Sequence, residues 1–201
     1  MSIVKFKVEF AAGALPEDER IEKLSEWCLL FDKNGLTPRF NGTGRSLGNL
    51  SFRVTEGASC FIITGSTLDS KERLSHDDFV KVVEACPGKM IVIAEGKRDP
   101  SSESMMHHEI YKRRSDINAV FHGHDKEITA NAGLLGVPET GREELPGTTA
   151  LMGEVMKILG QNNFIVMKNH GFLSFGKNMD EAGNRALEQK KKLSILRMAD
   201  K

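Results

Sequence analysis

The chain is poor in residues that mark several common protein classes. Its 201 residues include three cysteines, Cys28, Cys60 and Cys86. An odd number with no Cys-x-x-Cys pair argues against a disulfide-stapled scaffold or a cysteine-rich zinc module. Tryptophan and tyrosine occur once each, as Trp27 and Tyr111. Neither sign of charge is in excess: 28 Lys and Arg balance 28 Asp and Glu. That balance removes the electrostatic footprint of a general nucleic-acid binder. Long apolar runs are missing too. Stretches such as Met90-Ile91-Val92-Ile93-Ala94 fall far short of the ~20 residues that a membrane span needs. The first ten residues alternate charged and apolar side chains and lack the h-region of a signal peptide. Together these absences predict a soluble, cytoplasmic protein without nucleic-acid or membrane partners. A chain of ~200 residues buries enough surface for one self-sufficient core, so residues 1–201 are read as a single domain.

What is present reads as interleaved strands and helices. Ile3 to Phe10 alternates with period two, placing Val4, Phe6, Val8 and Phe10 on one strand face. Pro16 suits a first helical position, and Ile21, Leu24, Trp27, Cys28 and Phe31 follow at helical spacing before Gly35. A loop rich in glycine leads to a hairpin of Leu50–Val54 and Cys60–Thr64 around Glu56-Gly57. Ser75 and Asp78 resemble a capping box, which predicts a helix through Val83. Met90–Ala94 reads as a strand, Pro100-Ser101-Ser102 precedes a helix running to about Arg114, and Ile117–His122 reads as a strand. Helices are expected over Asp125–Leu135, Thr148–Leu159 and Asp180–Met198. The strands Phe164–Lys168 and Phe172–Phe175 flank Asn169-His170-Gly171. Several connections are hairpin-short, so the sheet must be mixed, with helices covering it.

The chemistry-bearing residues concentrate in a few short blocks. His122-Gly123-His124 follows an apolar strand-like run. Residues two apart on a strand share a face, so both imidazoles can reach one metal ion. Taken alone, the pair fits solvated histidines equally well. His170 lies on a turn and supplies a possible third ligand, the number typical of catalytic zinc sites. Glu103 follows Pro100-Ser101-Ser102 at a helix start, where an acid and two serines are ordinary capping residues. The same place can also bind an anion, with Glu103 as ligand or base. Glu103, His107 and Tyr111 recur every four residues along one helix face. Gly48-Asn49 and Thr64-Gly65-Ser66 are turn sequences able to offer N–H groups to a phosphate.

In this order, from about Ile21 to Ala186, these blocks resemble the class II aldolase/adducin family. The resemblance rests on Gly48-Asn49-Leu50-Ser51, Thr64-Gly65-Ser66, Ser101-Ser102-Glu103 with His107 and Tyr111, His122-Gly123-His124, Pro146-Gly147-Thr148 and Asn169-His170-Gly171. It implies a three-layer α/β/α domain with a mixed, mostly antiparallel sheet. It further implies a homotetramer with active sites between subunits, and a divalent metal, most often Zn2+, on His122, His124 and His170. Glu103 becomes the catalytic acid/base and a possible fourth ligand. Gly48, Asn49, Thr64, Gly65, Ser101 and Ser102 become the cradle for a substrate phosphate. The expected activity is that of an aldolase-like lyase acting on a small phosphorylated sugar through a metal-stabilised enediolate. A dehydratase or epimerase uses the same site, and the adducin branch is a non-catalytic scaffold. One feature departs from the family's aldolases, which draw a proton donor from a tyrosine after the paired histidines. No tyrosine lies between His124 and His170 here.

Overall fold

A computed structural model describes residues 5–11, 17–40 and 43–199 of the chain. Eight strands form one sheet: β1 (Lys7–Phe10), β2 (Asn49–Arg53), β3 (Phe61–Thr64), β4 (Phe79–Cys86), β5 (Ile91–Glu95), β6 (Ala119–Gly123), β7 (Phe164–Met167) and β8 (Gly171–Gly176). Their spatial order is β1-β5-β4-β3-β2-β6-β8-β7. Only β1 runs parallel to its neighbour, so the sheet is mixed and mostly antiparallel.

Helices cover both faces and make the architecture three-layered. On one face lie α1 (Arg20–Lys33), α3 (Lys126–Ala130), α4 (Ala132–Leu135) and α6 (Met179–Ala199). They pack on Leu50, Phe52, Ile62, Phe121, Val166 and Phe172. On the other lie α2 (Ser104–Arg113) and α5 (Thr149–Ile158), against Phe61, Ile63, Val80, Val120, Leu173 and Phe175. Strand alternation produces both cores: neighbouring residues such as Phe121 and Val120 enter opposite ones. Burying a large apolar side chain contributes roughly 1.5–3 kcal/mol, so filling both faces is what holds the sheet between its helices.

The expected α1 forms with all five of its predicted apolar positions buried. Gly35, at φ +66, turns the chain away from its end. The expected first strand is shorter: β1 begins at Lys7, Phe10 stays exposed, and Ile3, Val4 and Pro16 lie outside the described residues. The helix expected from Ser75 to Val83 does not form. Ser75 and Asp78 do cap each other, Oδ2 of Asp78 accepting both the Ser75 N–H (2.8 Å) and its hydroxyl (2.9 Å). They close only a single tight turn, His76–Asp78, before strand β4. The β-branched run after Phe79 wins because it pairs with β3 on one side and β5 on the other. A bulge between Val82 and Glu84 lets Val83 leave the alternation. The expected Asp125–Leu135 helix is interrupted at Asn131, whose backbone (φ −126, ψ 31) is not helical, giving α3 and α4.

Candidate active site

Four separate segments deliver the site. His122 stands in β6, directly across the ladder from Asn49 in β2. His124 follows β6 and is fixed by its N–H donating to Leu36 O at 2.7 Å. His170 occupies the turn between β7 and β8, preceded by Asn169 at φ +54. Glu103 precedes the first residue of α2. The histidine ring centroids lie 4.5, 5.1 and 4.7 Å apart, and one nitrogen from each ring lies within 4.8 Å of the others. Space for this approach depends on glycine. A Cβ on Gly171 would collide with Gly123 O and come 2.9 Å from His122 Cε1, and one on Gly48 would come 2.5 Å from His122 O. Gly48 also sits at φ +75, which a side chain would strain.

The polar contacts assign protons. Phe172 O, an acceptor only, lies 2.8 Å from His122 Nδ1, so that nitrogen carries the hydrogen. Burial pushes His122 and His124 below the ordinary imidazole range, which keeps them neutral at pH 7. The His122 Nε2 lone pair therefore faces Glu103 Oε2 at 3.1 Å and His124 Nε2 at 2.9 Å. Glu103 Oε2 also accepts from Asn49 Nδ2 at 2.8 Å, and Oε1 lies 2.9 Å from His170 Nε2. Burial alone would raise the Glu103 carboxyl, but the hydrogen bond from His170 opposes this and holds it below the usual carboxylate range. A neutral His122 has no hydrogen to place between its Nε2 and this carboxylate. A cation does resolve that contact, and three imidazoles beside a carboxylate are a donor set suited to a divalent metal.

A cleft of about 320 Å³ opens at this cluster. Its lining includes Gly48, Asn49, Gly65, Ser101, Ser102, Glu103, His124 and His170, so most of the candidate residues meet in one place. Two expectations are modified. Thr64 is buried outside that lining, its hydroxyl 3.3 Å from the Leu50 N–H. The Gly65 and Ser66 amides donate to Asp78 O (2.7 Å) and Asp99 O (2.9 Å), so neither is offered to a ligand. His107 and Tyr111 do face the sheet with Glu103, yet they serve the layer behind it: Ser51 Oγ lies 2.8 Å from both His107 Nδ1 and the Tyr111 hydroxyl. Burial pushes His107 down to about 3 and raises Tyr111. The chain's one tyrosine is thus sealed in the interior.

Some cleft residues carry no signal in the sequence. Arg45, Ser46 and Lys71 come from polar loops of ordinary composition. Lys71 is only 1% exposed. Its ammonium donates to Ser46 Oγ (2.8 Å) and Leu47 O (2.9 Å), and burial lowers it to about 8, with Cys28 and Asp32 opposing. A second cleft, of about 580 Å³, reaches His124 and His170 from the side of Arg39, Phe40 and Lys126.

A family profile described as Class II Aldolase and Adducin N-terminal domain matches residues 22–195. The chain belongs to this class II aldolase and adducin family. An L-fuculose phosphate aldolase of Methanocaldococcus jannaschii is 29% identical over 168 residues, 75% of this chain and 85% of that protein. A methylthioribulose-1-phosphate dehydratase of Leptospira interrogans is 34% identical over 113 residues, covering 54% of this chain and 42% of that one. Among solved structures, an L-fuculose 1-phosphate aldolase superposes with a TM-score of 0.74 at 25% identity, over 92% of this chain and 88% of the other. The aldolase and dehydratase relatives place the chain among enzymes of that kind. No helix among the described residues is long and apolar enough to cross a membrane.

Proposed function

We propose that the protein is an aldolase-like lyase that makes or breaks a carbon–carbon bond beside the carbonyl of a small phosphorylated sugar. The observation that carries this reading is the placement of Glu103, a buried carboxylate at a cleft, gripped by Asn49 and His170 beside the three-imidazole cluster. His122, His124 and His170 would hold a divalent cation, zinc by the preference of such nitrogen donors, which would supply Lewis-acid polarisation of a carbonyl and its neighbouring hydroxyl.

The chain's own residues do the rest. Glu103 accepts or returns the proton at the carbon next to the carbonyl, and its two hydrogen bonds fix the oxygen that does so. Asn49 Oδ1, buried and without a partner among the described residues, is free to accept from a substrate hydroxyl. Gly48, Asn49, Gly65, Ser101 and Ser102 line the phosphate end of the cleft, while Thr64 supports it from behind. The relatives named for sugar-phosphate reactions support this substrate class.

A second reading, a dehydratase on the same residues, is favoured by one specific feature. Tyr111 is buried behind Ser51, and no tyrosine occurs between His124 and His170 to protonate an aldol product. Loss of a hydroxyl instead needs an acid for the leaving group, which Glu103 supplies with the proton it has taken from the neighbouring carbon. The proposal further holds that residues 1–201 act as one domain, in a cytoplasmic homotetramer whose subunits complete each other's sites. Exposed Phe40 and Leu145 near the cleft support an assembly of this kind. The deciding experiment incubates zinc-loaded protein with a panel of ketose phosphates. Release of a triose phosphate supports the lyase, a dehydrated product supports the second reading, and neither product from any member refutes both.

A further inference from the structure

The phosphate end of the cleft offers few donors, and those it offers are neutral. The Gly65 and Ser66 amides are committed to backbone carbonyls, and the Thr64 and Ser101 hydroxyl oxygens, which accept from the Leu50 and Glu103 N–H groups, have only an uncharged O–H to give. Against that stands a buried cation in the cleft wall. Lys71 touches two neutral oxygens, of Ser46 and Leu47, and forms no ion pair with a carboxylate among the described residues. An ammonium has three N–H donors, so two contacts leave one unassigned. A charge removed from water without a counter-charge costs several kcal/mol in a protein interior. Such an arrangement is economical only if an anion joins it.

We propose that Lys71 is the charged anchor of this cleft, binding the phosphate monoester of the substrate through its third ammonium donor while Ser46 and Leu47 hold the other two. This rests on the sugar-phosphate reading above and adds to it the residue that selects phosphorylated over neutral sugars. Lys71 is still mostly protonated at pH 7, since burial lowers it only to about 8. A bound dianion would raise that value again by favouring the charged form. Arg45 also lines the cleft, but its side chain is less buried and has solvent to neutralise it.

The probe is inorganic phosphate, titrated by calorimetry into the zinc-loaded full-length protein at about pH 7. A charge-assisted hydrogen bond lost from a desolvated site weakens binding about tenfold or more. Lys71→Gln keeps an amide donor for Ser46 and Leu47 but drops the charge, and should bind phosphate at least about tenfold more weakly with unchanged zinc content. Lys71→Arg should recover most of the loss, and Arg45→Gln should change affinity less than about threefold. Equal affinity in wild type and Lys71→Gln overturns the role of Lys71 and leaves the phosphate reading standing. Wild-type protein that turns over only unphosphorylated sugars overturns both. Should Lys71→Gln fail to fold, the wild-type chain carries the test through NMR titration of the Lys71 side chain. An upward move of its midpoint with phosphate supports the anchor, and an unmoved midpoint refutes it.

Discussion

Replacing Glu103 by glutamine isolates proton transfer from every other role of that side chain. The amide has the same shape, so its oxygen can take the Asn49 Nδ2 hydrogen that Oε2 now accepts at 2.8 Å. Its NH2 then faces His170 Nε2 across the present 2.9 Å, and that ring accommodates it by carrying its hydrogen on Nδ1. Two charge-assisted contacts become neutral ones, a loss of about 1 kcal/mol each, which a folded domain tolerates. The base is gone, however. General acid/base catalysis typically contributes ~10²–10⁴ in rate, equal to about 3–5 kcal/mol of barrier. Glu103→Gln should therefore retain metal and ligand binding while kcat falls by about that factor. Exchange of the substrate's carbon-bound proton with deuterated solvent should fall in parallel. Metal analysis, binding calorimetry and exchange followed by NMR make up the assay. Exchange at the wild-type rate refutes the argument. A variant purified without metal also refutes it, because Glu103 would then act chiefly as a ligand.

Three further outcomes follow from the geometry. The double variant His122→Ala/His124→Ala should lose divalent metal, read by elemental analysis, and full occupancy in it would remove the metal assignment. Gly171→Ala should displace the His122 ring, because a Cβ there comes 2.9 Å from Cε1; overpacking of this sort costs about 1–3 kcal/mol, visible as a lower Tm, with weaker metal retention. Lys71 should make stability depend on alkaline pH. Its folded value of about 8 lies below the ordinary 10.5, so the unfolded chain binds more protons between the two and stability rises with pH across that window. The gap corresponds to about 3 kcal/mol, present as a penalty below about pH 8 and relieved as pH approaches 10.5. Denaturant unfolding of wild type against Lys71→Met at about pH 7 and pH 10 checks it: the advantage of the methionine variant should shrink at the higher pH, and a constant difference contradicts the reasoning.

Local chemistry in the sequence was enough to locate the histidines, Glu103 and most of the strands. His122 and His124 are two apart after an apolar run, and strand geometry alone turns both rings to one side. The helical spacing of Ile21, Leu24, Trp27, Cys28 and Phe31 likewise sufficed for α1, because one apolar stripe has one way to be buried. Local signals failed where a distant partner outbid them. The Ser75–Asp78 cap is real, yet β4 follows it because two neighbouring strands supply a ladder that no helix there can match. Likewise, nothing near Thr64, Gly65 or Ser66 reveals that the hydroxyl is turned away from the cleft or that the two amides are already bonded. Tyr111 carries a family-like spacing, but only packing shows its hydroxyl sealed behind Ser51. Lys71 is the clearest case. In the sequence it is one lysine among many in a polar loop, and only the closing of the segments around Ser46 and Leu47 takes its ammonium out of water. Residue type and spacing determine which groups can do chemistry; which of them lose solvent, and so acquire altered charge and reach, is decided by contacts between segments far apart in the chain.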